Sequence, residues 1–330
     1  MIGVDLGGTN VVTGAVSPDG TRTLGVHTAS TQVDAGADGV VDRIVAQIEA
    51  TIADAMREAG VSRDAFLGVG IGAPGPLDRA NGVVVVAPNL GWHNFPLRQR
   101  IAERVKLPAT LDNDANCATV GEWWQGAARG ARHVVGLTIG TGIGGGLIVD
   151  GRLLHGASDV AGEVGHSTIE LNGRYCKCGN YGCLEAYASG PAIATRAREV
   201  LMRDGAESCM PGLVDGDLAR LTAATVYAAA RSGDAVANEI VRETGRYLGA
   251  GVANLLNVFN PDVVVVAGGV TAAGEHLFGP LNAEVRRRAF APAVAAARVV
   301  PGSLPGTAGV VGAAWTFLDA TTPGGTAETA

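Results

Sequence analysis

Two stretches of this chain follow one order of elements: strand, Gly/Thr loop, strand, Asp-Gly turn, strand. The first runs from Met1–Leu6 through Gly7-Gly8-Thr9-Asn10 to Val11–Val16, the Asp19-Gly20 turn and a strand around Thr23–His27. The second runs from His133–Ile139 through G-T-G-I-G-G-G (Gly140–Gly146) to Leu147–Val149, Asp150-Gly151 and Arg152–His155. No long identical run links them. What repeats is a supersecondary unit, and an internal duplication of this kind predicts an α/β protein built in two halves.

Further strands are predicted at Leu67–Ile71, Val83–Val86, Ala109–Leu111, Asp262–Ala267 and near Ala297–Pro301. Helical spacing is plainest over Gly39–Ala59, where Val40, Ile44, Ile48, Ile52 and Met56 recur every four residues until Gly60. Other helices are predicted over Leu97–Val105, Ala115–Gln125, Pro191–Met202, Leu221–Ser232, Ala235–Val258, Gly274–Ala289 and Ala308–Leu318. Asp204–Asp217 reads as an irregular loop and the last dozen residues as disordered.

The 330 residues suffice for two domains with substantial cores, and 49 glycines fit a fold rich in tight strand-to-loop turns. A net charge of −7 argues against a nucleic-acid or membrane-surface partner. No apolar run approaches the ~20 residues that span a bilayer. With the first strand starting at Ile2, no signal peptide is expected, and the reading is cytoplasmic.

The stretch Glu163–Glu185 brings His166, Cys176, Cys178 and Cys183 together between two carboxylates, and it holds three of the five cysteines. A zinc ion held by three thiolates and one imidazole forms a closed, four-coordinate site. Gly179 and Gly182 suit the tight backbone path that lets short side chains converge. The competing reading is a disulfide with a stray thiol. Cys-x-Cys is a poor disulfide pair, however, and nothing else suggests an oxidising compartment.

Gly7-Gly8-Thr9-Asn10 follows a strand carrying Asp5, and Gly140-Thr141-Gly142 with Gly144 follows another. Small residues at strand ends let backbone N–H groups cradle anionic oxygens, with the two threonine hydroxyls as extra donors. Asp5 could hold a hydrated Mg²⁺. Gly268-Gly269 ends a third such strand, where an adenosine could lie against bare backbone. Gly140, Gly142 and Gly145 also fit the dinucleotide pattern G-x-G-x-x-G, but that fingerprint needs a helix to follow, and Leu147–Val149 is a strand. No G-x-x-x-x-G-K-[ST] loop occurs. Asp114 lies just past a buried strand; spacing alone fits it equally to a general base and to an N-cap for the helix from Ala115. Asp112 and Asp114 should face opposite sides, so they are not expected to act as a dyad.

These motifs carry a resemblance. With A-P-G-P (Ala73–Pro76), D-N-D-A-N (Asp112–Asn116), E-V-G-H (Glu163–His166), C-K-C-G-N-Y-G-C-L-E (Cys176–Glu185) and A-G-G-V (Ala267–Val270), the chain resembles the ROK sugar kinases over about Ile2 to Leu318. Within that family it looks most like the bacterial glucokinases. The resemblance implies the actin-like ATPase fold: two ribonuclease-H-like α/β domains around a cleft, with a zinc-binding insertion. It places a small domain at 1–113 plus 308–330 and a large one at 114–307.

It also implies ATP-dependent phosphorylation of a hexose 6-hydroxyl, most simply that of D-glucose, with Asp114 as general base. Gly75, Asn89, Asn113, Glu163, His166 and Glu185 would hold the sugar. Gly7, Gly8, Thr9, Asn10, Gly140, Thr141, Gly142 and Gly144 would line the ATP phosphates, Asp5 the Mg²⁺, and Gly268 and Gly269 the adenosine. His166, Cys176, Cys178 and Cys183 would hold a structural Zn²⁺ that fixes the loop, with one ring nitrogen of His166 left for the sugar. Other hexoses and N-acetylhexosamines are substrates of relatives on this scaffold. Sugar-responsive repressors share the zinc stretch, but they carry a DNA-binding domain ahead of the first strand. No added basic cluster favours polyphosphate over ATP. A homodimer or homotetramer is the family's usual assembly. Cys117 stands where alanine is typical, three residues past the expected base, and is expected to confer thiol sensitivity.

Overall fold

The computed structural model of the protein describes residues 1–203 and 206–322. The amino-terminal sheet is built from β1 (Ile2–Leu6), β2 (Asn10–Val16), β3 (Thr23–Ser30), β4 (Val69–Ala73) and, beyond a small antiparallel sheet of β5 (Leu77–Asp78), β6 (Val83–Ala87) and β7 (Trp92–Phe95), β8 (Ala109–Asn113). The other large sheet contains β9 (Val134–Ile139), β10 (Ile143–Val149), β11 (Arg152–Leu153), β12 (Val263–Ala267) and β13 (Arg298–Pro301). Their orders are β3-β2-β1-β4-β8 and β11-β10-β9-β12-β13. Both follow one topology, so the duplication legible in the sequence extends to the two strands that follow each hairpin.

In the first sheet β1 pairs antiparallel with β2 and parallel with β4, and β4 pairs parallel with β8. The registers set Asp5 opposite Gly72 and Gly72 opposite Asp112. Three parallel strands therefore end level, at the carboxyl edge where open α/β sheets bind ligands.

The helices are α1 (Gly36–Ala59), α2 (Leu97–Val105), α3 (Asp114–Trp124), α4 (Glu185–Ala188), α5 (Gly190–Leu201), α6 (Ala223–Arg231), α7 (Ala235–Phe259), α8 (Glu275–Arg288), α9 (Ala291–Ala296) and α10 (Ala308–Thr321). The apolar stripe of α1 behaves as its spacing predicts: Val40, Ile44, Ile48 and Ile52 are all buried. Each such side chain contributes ~1.5–3 kcal/mol on leaving water. Among the described residues, no helix is long and apolar enough to cross a membrane.

Several glycines serve packing rather than turns. A Cβ on Gly70 would lie 1.7 Å from the Ala313 carbonyl oxygen, and one on Gly312 would lie 1.7 Å from that of Cys117. Helix α10 thus lies directly on β4 and on α3. This close packing sets the division of the chain. One compact unit is Met1–Gly136, Gly146–Gly162 and Ser303 onward; the other is Leu137–Gly145 and Glu163–Gly302. These lines differ from the sequence division at 113/114 and 307/308, because α3 belongs with α10 and the first sheet.

Three local expectations change. Strand β10 begins at Ile143, so Gly144–Gly146 lie in a strand and only Gly140–Gly142 form the turn. Strand β11 stops at Leu153, before His155. Helix α10 runs to Thr321, into the stretch expected to be disordered; residues 323–330 lie outside the described residues.

Candidate active site

The first unit carries Asp5, Gly7–Asn10, Gly75, Asn89, Asn113 and Asp114; the second carries Gly140–Gly142, Gly144, Glu163, His166, the three cysteines, Glu185, Gly268 and Gly269.

In the first unit, Gly7 N–H donates to the Asn10 carbonyl at 2.8 Å, which closes the loop after β1. Thr31 clamps that loop from outside: its hydroxyl donates to the Gly7 carbonyl at 2.7 Å, and its N–H donates to the Thr9 carbonyl at 2.8 Å. Asn89 packs over Gly8, where an added Cβ would sit 3.3 Å from its side chain. Gly75 has φ +95° and faces the Val86 carbonyl closely, so only glycine fits there without strain.

Its neighbour bears on the choice left open for Asp114. Asn113 is the N-cap of α3: its side-chain oxygen accepts from Ala115 N–H at 2.9 Å and from Asn116 N–H at 3.1 Å. That cap is worth ~1 kcal/mol. Asp114 is the first helical residue, and its Oδ1 shares the Ala115 N–H with Asn113, accepting at 2.8 Å.

Asp5 and Asp114 repel one another. Burial, and then the charge of Asp114, pushes the Asp5 carboxyl up to about 7. The folded value lies above the unfolded one, so the ionised carboxylate opposes folding. That cost is absent below about pH 4, grows as the pH rises through the interval, and is complete above about 7. In metal- and nucleotide-free protein, Asp5→Asn should therefore raise stability at pH 8 by up to ~4 kcal/mol, with the gain vanishing at pH 4. Thermal melts across that range check this; a variant no more stable than wild type at pH 8 would refute it.

Cys117 is fully buried. Burial, then the carboxylates Asp112, Asp5 and Asp114, push its thiol well above the usual range. The expected thiol sensitivity does not follow, because neither access nor thiolate is available.

In the second unit, His166, Cys176, Cys178 and Cys183 each offer one ligand atom, and these atoms all lie within 4.8 Å of one another. The Cys178 and Cys183 sulfurs are 3.7 Å apart, and Cys176 Sγ is 3.7 Å from His166 Nδ1. A disulfide needs ~2.05 Å. A tetrahedral site with ~2.3 Å metal–sulfur bonds has edges of about 3.8 Å, so the donor set fits a four-coordinate metal. Burial pushes the Cys176 thiol up to about 12 and raises Cys183, whereas the Asn180 N–H lowers Cys178.

With Nδ1 facing the sulfurs, His166 turns Nε2 the other way, 3.9 Å from Glu163 Oε2. Glu185 is less free than its sequence position suggests. One oxygen accepts from Ile143 N–H at 2.9 Å and the other lies 3.6 Å from Cys176 Sγ. It links the cysteine loop to the turn at Gly140–Gly142, where a Cβ on Gly142 would collide with it at 2.6 Å.

Gly268 has φ +97° and sits against the Ile139 carbonyl, again a place for glycine alone. Beyond it opens a cavity of about 560 Å³ lined by Gly140, Thr141, Pro191, Leu221, Tyr227 and Gly269, among others. Of the two glycines expected at the adenosine, Gly269 lines this cavity; the apolar wall from α5 and α6 was not expected. No local pattern announces it, because the lining comes from four separate segments: 139–141, 190–198, 221–231 and 269–272.

Comparison with known proteins follows the same line. The profile of the ROK family matches residues 1–320. A glucokinase from Thermotoga maritima is 41% identical over 95% of this chain and 96% of its own length. The crystal structure of a ROK family glucokinase from Streptomyces griseus, in complex with glucose and AMPPNP, matches with a TM-score of 0.82 at 37% identity, covering 96% of this chain and 98% of that one. A xylose repressor from Caldicellulosiruptor bescii is 36% identical over 72% of this chain but 59% of its own length. The duplicated sheets are those of the actin-like ATPase fold, and the chain belongs to the ROK family.

Proposed function

We propose that the protein transfers the γ-phosphoryl group of ATP to the 6-hydroxyl of D-glucose, giving glucose 6-phosphate and ADP. The observation that carries this is Asp114 at the start of α3, directly after the N-cap Asn113 and set beside Asp5 at the level ends of β8 and β1. Asp114 takes the hydroxyl proton as that oxygen attacks phosphorus, and the β–γ bridging oxygen leaves with ADP. Such a transfer needs an aligned nucleophile and neutralised charge more than covalent help from the protein.

Asn113, Gly75, Asn89, Glu163, His166 and Glu185 hold the sugar in this reading. The Glu163 carboxylate and the outward nitrogen of His166 suit two adjacent hydroxyls. Gly7–Asn10 and Gly140–Gly142 cradle the phosphates through backbone N–H groups. The β12 glycines and the cavity beside them receive the adenosine; Gly144, inside β10, supports the turn rather than lining it. Asp5, short of positive charge beside Asp114, would hold a hydrated Mg²⁺ that neutralises the triphosphate. His166, Cys176, Cys178 and Cys183 would hold a Zn²⁺ which, fully ligated by protein, orders the loop without activating water.

A coupled ADP-release assay across glucose, fructose, mannose, N-acetylglucosamine and N-acetylmannosamine tests the reading. The highest kcat/KM is expected with glucose. A higher value with N-acetylmannosamine would overturn the substrate assignment, and no turnover with any of them would overturn the kinase.

A further inference from the structure

Asp112 is the other carboxylate of the D-N-D stretch. Its side chain is 2% exposed, yet it is surrounded by donors. Its Oδ1 accepts from Asn113 N–H at 2.8 Å and from Asn116 Nδ2 at 3.1 Å. Its Oδ2 accepts from His155 Nε2 at 2.8 Å and pairs with Arg79 Nε at 3.1 Å. The Arg79 contact is an ion pair by distance, not an aligned hydrogen bond. Burial alone would raise this carboxyl; His155, then Arg79 and Asn116, hold it below its usual range. Asp112 is therefore ionised, and Nε2 of His155 carries the proton it shares.

The cluster joins three stretches far apart in sequence. Arg79 follows β5 and reaches on to Asp159 at 3.3 Å. Asp112 lies in β8, directly before Asn113 and Asp114. His155 and Asp159 belong to the loop after β11, which Ala161 N–H closes onto the His155 carbonyl at 3.0 Å and which leads on to Glu163. One oxygen of Asp112 thus holds the β8–α3 turn while the other is held by His155 and Arg79, so the carboxylate passes the position of the loop to the turn. With Arg79 Nε and Asn116 Oδ1 lacking hydrogen-bond partners, the hold on Asp112 rests on the bonds from His155, Asn113 and Asn116 Nδ2.

We propose that His155 is a positioning residue for phosphoryl transfer: acting through Asp112, it fixes the turn that presents Asn113 and Asp114. The inference rests on the kinase reading above. Its mechanism is alignment: the bonds run from His155 to Asp112 and from Asp112 to the backbone of Asn113, next to the base.

The test compares His155→Ala with His155→Gln, whose amide keeps an N–H donor. In glucose and ATP kinetics, His155→Ala should lose ~10–100-fold in kcat, as small misplacements of reacting groups do, with the KM for ATP within about 2-fold of wild type. His155→Gln should stay within about 3-fold of wild-type kcat, because it restores the bond to Asp112. Hydrogen exchange read in parallel should rise at the Asn113, Ala115 and Asn116 amides in His155→Ala only, with β1 unchanged. Wild-type kcat in His155→Ala would overturn the proposal, as would equal losses in both variants with exchange rising uniformly. If wild-type protein phosphorylates no hexose, the kinase reading falls, and exchange at the turn alone decides: a rise confined to His155→Ala supports the positioning, and no rise overturns it.

Discussion

Asp114→Asn should yield a folded protein that binds glucose and ATP but turns over at least ~10²-fold more slowly. The substitution keeps shape and hydrogen bonding but removes the basicity that accepts the hydroxyl proton. Folding is protected because the cap of α3 belongs to Asn113, whose two bonds to Ala115 and Asn116 are untouched. Removing the charge also relieves Asp5, whose carboxyl the Asp114 charge helps to raise to about 7. The metal-free variant should then be at least as stable as wild type at pH 8, a direction opposite to that of most point substitutions. ADP release at saturating glucose, glucose calorimetry and a thermal melt read the three parts separately. Near-normal turnover would remove Asp114 from the mechanism. Lost turnover with lost glucose binding would make it a substrate ligand instead.

The features legible in the sequence are those whose partners are near in sequence. The four candidate metal ligands fall within one short stretch, and their spacing alone brought His166, Cys176, Cys178 and Cys183 together, as the ligand atoms within 4.8 Å bear out. The strand-loop-strand repeat was legible for the same reason. What was hidden depends on distant partners. Gly146 reads as loop, but it lies in β10, where a Cβ would meet the Thr119 side chain at 2.5 Å. His155 reads as the end of a hairpin, but its partner Asp112 lies 43 positions away. Cys117 looks reactive beside a candidate base until α10 and Gly72 close over it. Asn113, expected at the sugar, is also the N-cap of α3, a role its sequence position did not announce. Its oxygen is committed to the cap, so its amide nitrogen is the atom left to meet a hydroxyl.

Cys178→Ser should lower the melting temperature and weaken glucose binding by at least ~10-fold while changing ATP affinity far less, because metal binding and loop order are one equilibrium in small metal-held segments. Cys178 is the exposed member of the set, so the substitution removes a donor without opening a cavity. The loop between His166 and Cys183 has no helix or strand of its own; besides the candidate metal ligands it is held by turns, two isolated bridges and the ion pair of Arg174 with Glu199. Without a cation Cys176 and Cys183 hold their protons, Cys176 being pushed up to about 12 and Cys183 raised. Binding a metal must displace those protons, so chelator should strip the site more readily at pH 6 than at pH 8. The effect on ATP is not zero, since Glu185 reaches from Cys176 to the Ile143 N–H behind the phosphate turn. It should fall on kcat rather than on nucleotide affinity, because the cavity wall from α5 and α6 does not pass through the loop. Zinc content, glucose and nucleotide calorimetry and melts on the same samples separate these effects. Full glucose affinity in a zinc-free variant would show that the loop needs no metal to present Glu163 and His166. An equal loss of both ligands would mean that the metal holds the whole second unit together.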